Sequence, residues 1–229
     1  MSPYRENNYV VASQGLVSQY AAIDNSGVNT TFEIDLPYSI PSDGQEHLVA
    51  VKKYEAPATF QYFSAPKLDE GVFLQAQMTN WQDLNLLAGP TNIFYEGSYV
   101  GNGQIDPQNV KDTLSVSLGR DKKVIVKREL DKKERSVKTI GSNVRESFAY
   151  NITVRNTRKE SANVVIADQL PVSNDKDIVV EDVDNGGATQ NESTGELRWR
   201  VSLAPNESKV LHFSYTVKYP KGKTVSNLR

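Results

Sequence analysis

The chain has 229 residues, of which 38% are hydrophobic and 24% are charged, a composition typical of a globular rather than a disordered protein. Its net charge of −2 and its lack of cysteine give no sign of a polyanionic partner and exclude disulfides, thiol catalysis and cysteine-ligated metals. No apolar run approaches the ~20 residues that a transmembrane helix needs, so we expect no transmembrane segment.

The charge is unevenly distributed along the chain. Residues 1–119 contain 5 Lys or Arg and 13 Asp or Glu, for a net −8, whereas residues 120–229 contain 21 and 15, for a net +6. The first segment also holds 14 of the 20 aromatic residues. Such a step in composition predicts two domains with different surfaces, one over residues 1–119 and one over 120–229.

The first segment shows hydrophobic residues at every second position. The runs "TFEIDL", "VFLQAQM" and "TLSVSL" alternate apolar and polar residues, and turn sequences such as "PSDG" and "LDEG" separate them. Side chains of a strand point alternately to its two faces, so this pattern indicates half-buried strands. We therefore predict an irregular β-sandwich or barrel for residues 1–119.

The stretch "TNWQDLNLLAGPTNIFYEGSYVG", residues 79–101, is rich in aromatic and amide side chains. Alternation predicts a continuous strand near residues 93–100, with Tyr95 and Tyr99 on one face. Trp81 either packs on the core or stands exposed beside these tyrosines. In the exposed case Trp81, Asn92, Tyr95 and Tyr99 form a candidate site for a sugar or a protein partner.

The segment "GRDKKVIVKRELDKKERSVK", residues 119–138, carries nine basic and four acidic residues. It is either a patch for an anionic polymer or a solvated strand pair whose lysines protect a sheet edge. No aromatic residue stands between the basic ones, so we expect no nucleic-acid partner.

The second segment has the clearest strands. The runs "FAYNITV", "LRWRVSL" and "LHFSYTV" alternate strictly, and "KVIVKREL", "ANVVIADQL" and "DIVVEDV" add three more candidates. Their number, their spacing and the segment length match an immunoglobulin or fibronectin type III sandwich without the inter-sheet disulfide. The predicted fold is therefore all-β, with two β-sandwich domains of which the second is immunoglobulin-like.

Motifs for catalysis or metal binding are missing from the sequence. The two histidines, His47 and His212, stand apart, and "EDVDNGG" departs from a calcium loop and predicts a polar hairpin turn. Carboxylates for glycoside hydrolysis occur only at turn sequences; they are Asp69, Glu70, Asp83, Glu96 and Asp106. We predict no catalytic residue, no metal and no cofactor.

Three blocks of the sequence resemble one known family. They begin with "APKLDEGVFLQAQMTNWQDLNLLAGPTNIFYEGSYVG", continue with "DTLSVSLGRDKKVIVKREL" and end with "TGELRWRVSLAPNESKVLHFSYTVKYPKG". They are similar to the C-terminal domain of the bacterial mucoidy inhibitor A family. The resemblance implies a further N-terminal and coiled-coil region, an effect on exopolysaccharide production and no established catalytic residue.

These observations together predict a binding function. We expect a non-catalytic structural or protein-interaction module of an exported envelope protein, located in the periplasm or at the cell surface. Because the N-terminal sequence has no signal peptide, the chain is expected to be part of a longer protein. Its partner would be another protein, its own N-terminal region or a second copy. The alternative is a polysaccharide-binding module.

Overall fold

Fifteen strands and one short 3-10 turn make up the regular structure of the described residues. The computed structural model describes residues 21–24, 31–34, 39, 41–45, 47, 51–107, 112–223 and 225. The predicted all-β class is confirmed. The strands are β1 (Ala21–Asp24), β2 (Thr31–Ile34), β3 (Ala58–Ala65), β4 (Asp69–Thr79), β5 (Gly89–Tyr95), β6 (Ser98–Ile105), β7 (Thr113–Asp121), β8 (Val124–Leu130), β9 (Ser136–Ile140), β10 (Asn143–Asn156), β11 (Ala162–Gln169), β12 (Val179–Asp184), β13 (Thr189–Gln190), β14 (Glu196–Leu203) and β15 (Ser208–Pro220).

The strands form two large sheets and two separate hairpins. The larger sheet has six strands in the order β13-β14-β11-β3-β4-β7. The smaller has five strands in the order β12-β15-β10-β8, and β9 also pairs with β10. β1 pairs with β2, and β5 pairs with β6.

The six-stranded sheet contains strands from both predicted segments. β3 and β11 pair in parallel, with Tyr62 opposite Val164 and Ser64 opposite Ile166. β7 ends at Asp121, beyond the predicted boundary after residue 119. The sheet is therefore continuous across that boundary, and the division into two domains stays a prediction.

Aromatic residues fill the space between the two large sheets. The Phe148 and Tyr150 rings of β10 stack on Tyr215 and Phe213 of β15, with centroid separations of 5.4 and 5.2 Å. Trp199 of β14 contacts Phe213 from the opposite sheet at 5.7 Å. Because the buried apolar cluster draws on both sheets, they bury their inner faces against each other, and this burial stabilises the fold.

A charged pair is buried inside this aromatic core. Arg128 Nε of β8 donates to Asp168 Oδ2 of β11 at 2.7 Å, and the Asp168 side chain is fully buried. The Arg128 guanidinium lies over the Tyr150 ring, 3.7 Å from its centroid. The pair thus links one sheet to the other, and the aromatic face stabilises the cation.

Removing one charge of this pair is expected to destabilise the protein strongly. Asp168→Asn leaves the Arg128 guanidinium in the core without a counter-charge, which costs about 3–5 kcal/mol. The control is Glu129→Gln, since Glu129 pairs with Lys127 at 2.8 Å in an exposed position; such pairs contribute less than about 1 kcal/mol. Urea unfolding followed by tryptophan fluorescence measures both values. Equal losses for the two variants would contradict the role given to the buried pair.

Candidate functional site

Trp81 lies inside the protein, in the core position that was one of its two predicted placements. It begins the 3-10 turn Trp81–Leu84, and its side chain is only 4% exposed. Asn80 and Asn85 flank the turn with left-handed φ values of 56° and 48°, which asparagine adopts more readily than most residues. Trp81 therefore contributes no surface on which a sugar could stack.

The segment near residues 93–100 is a hairpin, so the prediction of one continuous strand was wrong. Tyr95 pairs with Ser98, and Glu96 and Gly97 between them have φ values of 48° and 77°. Two successive residues with positive φ make the tight turn that matches the twist of two antiparallel strands. Because the chain reverses at Glu96 and Gly97, Tyr95 and Tyr99 do not lie along one strand face.

The reversal brings a different aromatic pair together. Phe94 lies opposite Tyr99 across the hairpin, and the ring centroids are 5.5 Å apart in an edge-to-face arrangement. Both rings are exposed, at 54% and 56%. Asn92, opposite Asn102 in the same register, is exposed beside them. Asn92, Phe94, Tyr99 and Asn102 are here called the aromatic face.

Tyr95 lies on the other, half-buried side of the hairpin. Its phenol is close enough to contribute to the raised pKa of Tyr62 in β3. Tyr62 also hydrogen-bonds to Asp121, whose Oδ2 accepts from Arg158 Nη1 at 2.5 Å. The Arg158 guanidinium lies 5.5 Å from the centre of the Tyr62 ring. This cluster lies on the side of Tyr95 and leaves the aromatic face exposed.

The pKa of Tyr62 is raised to about 12, mainly because burial disfavours the phenolate. Asp121 adds to the rise through its charge and its hydrogen bond, and the positive charge of Arg158 opposes it. The neutral phenol is therefore the form that suits this environment, in which it donates to a carboxylate already paired with arginine.

The other sequence candidates do not converge on one site. His47 contacts Asp43 at 2.9 Å, and His212 contacts Asn151 at 3.0 Å and Glu134 at 3.5 Å. Within the described residues there is no group of three His, Asp or Glu side chains placed to hold a metal ion. The same residues contain no helix long and apolar enough to span a membrane.

Two of the carboxylates considered for glycoside hydrolysis, Asp69 and Glu70, take part in structural contacts. Asp69 pairs with Arg120 and accepts the Gly71 N–H at 2.7 Å. Glu70 accepts the Arg128 N–H at 3.2 Å. In the basic segment, residues 119–138, Arg120, Lys127, Arg128 and Arg135 all have acidic partners. Its two strands, β8 and β9, each pair with β10.

The segment "EDVDNGG" does not form the predicted hairpin. β12, which ends within this segment at Asp184, pairs with β15, whereas β13 after the segment pairs with β14, so the chain crosses from one large sheet to the other. Asp182 pairs with Arg145 at 2.7 Å, and Asp184 accepts the Gly186 N–H at 2.9 Å. Local turn residues are the same for a hairpin and a crossover, and the sequence pattern therefore did not distinguish them.

Comparison with known proteins places the chain in a family. A family model described as a domain of unknown function, DUF4139, matches residues 2–221. The chain belongs to this family. It is also similar to Protein F37C4.5 of Caenorhabditis elegans, at 27% identity over 222 residues, which cover 90% of this chain and 39% of the worm protein. The chain thus spans well under half of that relative. No solved structure matches it.

Two residues of the aromatic face of this DUF4139 domain were missed from sequence. Of the four predicted ligand-binding residues, Asn92 and Tyr99 lie on the face, Tyr95 lies behind it and Trp81 is buried. Phe94 and Asn102 complete the face but were not named. The dipeptide Glu96-Gly97 was the available signal, because X-Gly between two alternating runs is typical of a two-residue hairpin.

The raised pKa of Tyr62 predicts a loss of stability at high pH. Its folded-state pKa of about 12 exceeds the ordinary tyrosine value of 10.0, so the folded state holds the phenolic proton more tightly than the unfolded chain does. The stability from Tyr62 is complete below pH 10 and is lost as pH rises from about 10 to 12. Urea unfolding over this range should show a steeper loss for the wild type than for Tyr62→Phe. Parallel pH profiles would contradict the assignment.

Proposed function

We propose that this DUF4139 domain is a non-catalytic protein-interaction module that binds its partner through the aromatic face of the β5–β6 hairpin. The observation that carries the proposal is the contact between Phe94 and Tyr99 at 5.5 Å with both rings more than half exposed. Aromatic residues of this size release much free energy when a partner removes them from water. Clustered aromatic side chains are typical centres of protein interfaces.

The backbone of the β5–β6 hairpin holds the aromatic face in place before a partner binds. Its turn is fixed by Glu96 and Gly97, and Val100 is the extra residue of a bulge between the pairs at Ile93 and Phe94. Bulges re-aim side chains on a strand; here the extra residue brings Asn102 opposite Asn92, while the turn itself places Tyr99 opposite Phe94. A surface that is ordered before binding loses less conformational entropy when the partner arrives.

We also propose the type of sandwich that residues 120–229 form and the location of the protein. Residues 120–229 are proposed as an immunoglobulin-like or fibronectin type III-like sandwich, supported by the aromatic core that β10, β14 and β15 share. The partner is another protein, a further region of a longer chain or a second copy. The similar worm protein comes from a eukaryote, so an exported envelope location is proposed for this protein and not for every relative.

Polysaccharide binding is the second candidate. Two exposed asparagines, Asn92 and Asn102, lie opposite each other beside the exposed ring of Tyr99. Amide groups hydrogen-bond to hydroxyls, and an exposed ring offers an apolar surface to the C–H face of a sugar. The resemblance to the mucoidy inhibitor A family supports the same candidate.

Truncating the aromatic face should strongly weaken partner binding. The double variant Phe94→Ala/Tyr99→Ala is expected to weaken capture of a specific protein from an extract of the producing organism by about 30-fold or more, which corresponds to about 2 kcal/mol. The control is Ile125→Ala/Val137→Ala, which removes exposed apolar residues from β8 and β9. Quantitative mass spectrometry of the captured proteins gives the ratio. Equal capture by both double variants would refute the proposed surface.

Polysaccharide binding predicts a different result for single variants. With a panel of neutral and acidic bacterial polysaccharides at low and physiological salt, wild-type binding should saturate and survive salt if the aromatic face binds sugar. Tyr99→Ala and Asn92→Ala should then each weaken it about tenfold, or about 1.4 kcal/mol, while Ile125→Ala leaves it unchanged. Binding that disappears with salt would instead indicate the basic residues. No binding to any member of the panel would exclude this candidate.

A further inference from the structure

A second surface lies at the outer edge of β15, where part of the strand has no neighbouring strand among the described residues. β12 covers the outer edge of β15 only from Ser214 to Lys218. Asn156 N donates to Glu207 O at 2.9 Å, and in an antiparallel ladder hydrogen-bonded pairs alternate with non-bonded ones. Ser208, Val210 and His212 therefore point their N–H and C=O groups away from β10. The outer edge at Val210 is thus unpaired in the part of the chain that the structure describes.

The facing edge of β14 is free over a similar length. β13 covers β14 only at Leu197 and Arg198, and Leu170 N donates to Gly195 O at 2.9 Å. The same alternation turns the main-chain groups of Arg200 and Ser202 away from β11. The crossover from Asp184 to Ala188 connects the two sheets at this side of the molecule. Beyond the crossover, both sheets have a free strand edge on this same side.

A cleft of about 450 Å³ opens between these two edges. Trp199, Arg200, Lys209, Val210 and His212 line it together with the crossover glycines. The crossover closes one end tightly, because a Cβ on Gly186 would lie 1.7 Å from the His212 carbonyl oxygen. Trp199 Nε1 donates to Gly186 O at 3.0 Å and holds the crossover in place.

The cleft carries unneutralised positive charge. Arg198, next along β14, pairs with Glu196 at 2.5 Å, but Arg200 and Lys209 have no ion pair or hydrogen bond among the described residues. Both are exposed. The one acidic residue in the lining, Asp184, accepts the Gly186 N–H at 2.9 Å and leaves the two cations in excess of it by one charge. The site therefore combines a strand edge with two available cations.

We propose that this cleft binds an extended acidic peptide of a partner protein, which adds as a strand to the free edge of β15. The peptide main chain would exchange hydrogen bonds with the N–H and C=O of Val210, and its carboxylates would contact Arg200 and Lys209. Strand addition supplies affinity through the main chain, and charge supplies selectivity. This surface is separate from the aromatic face, since the β5–β6 hairpin contacts β7 at the opposite end of the six-stranded sheet.

Two synthetic octapeptides test the proposal, one with alternating Glu and Val and one with alternating Lys and Val, each carrying a fluorophore for anisotropy. The Glu peptide should bind with a Kd below about 1 mM and the Lys peptide should not. Arg200→Glu/Lys209→Glu should weaken Glu-peptide binding at least about tenfold. The matched control is Lys132→Glu/Lys138→Glu, which changes net charge equally at exposed lysines outside the cleft; it should leave binding within about twofold.

The main-chain contact needs its own measurement. Val210→Pro removes an N–H that faces the free edge without touching the ladder to β10, so it should abolish binding while near-ultraviolet circular dichroism stays unchanged. In the wild type, amide exchange of Ser208 and Val210 should slow when the Glu peptide is bound, whether or not the proline variant folds. Unchanged exchange at these amides, no binding of the Glu peptide, or equal losses in the two charge-reversal variants would each overturn the proposal.

Discussion

The parallel pairing of β3 with β11 is the constraint on which the larger sheet depends. A parallel pair needs a crossover connection, and here that connection contains β4 to β10, which include three strands of the opposite sheet. β3, β4 and β7 therefore complete a sheet whose other strands, β11, β13 and β14, come much later in the chain. Val72 of β4 lies in the same buried cluster as Trp199 and Phe213, so the early strands contribute to the core as well as to the edge.

The Arg128–Asp168 pair makes the relative position of the two sheets specific. An apolar core alone tolerates sliding, because aromatic and aliphatic contacts are largely interchangeable. A buried guanidinium that hydrogen-bonds at 2.7 Å and stacks 3.7 Å from the Tyr150 centroid is satisfied in one placement only. Any shift of one sheet against the other would leave a charge without its partner, at a cost that packing does not recover.

Local patterns predicted the strands well but not their partners. The strict alternation of β14 appears in the structure as buried and exposed residues in turn, because side-chain period reports only local exposure. The hairpin at Glu96-Gly97 was missed since a two-residue turn preserves the alternation on both sides. Arg128 and Asp168 are separated by 40 residues, and the crossover after Asp184 resembles a hairpin in sequence. The Arg128–Asp168 pair and this crossover depend on which strands become neighbours, and the period of the hydrophobic pattern does not encode that.

The free edges of β14 and β15 differ from other strand edges of the two large sheets, which are protected. Exposed strand edges invite association, and proteins usually shield them. β12 bears a register shift between Glu181 and Asp184, with Asp182 at a φ of 52°, so this edge is distorted against further pairing. The basic residues of β8 and β9 interrupt apolar side chains on the other margin. At Val210 no strand of the described chain covers the edge, and the exposed apolar side chain, 58% accessible, lies in the cleft that Arg200 and Lys209 also line. Lysine beside an open edge discourages pairing with a like-charged strand, so this edge favours a strand that brings carboxylates, as an acidic peptide does.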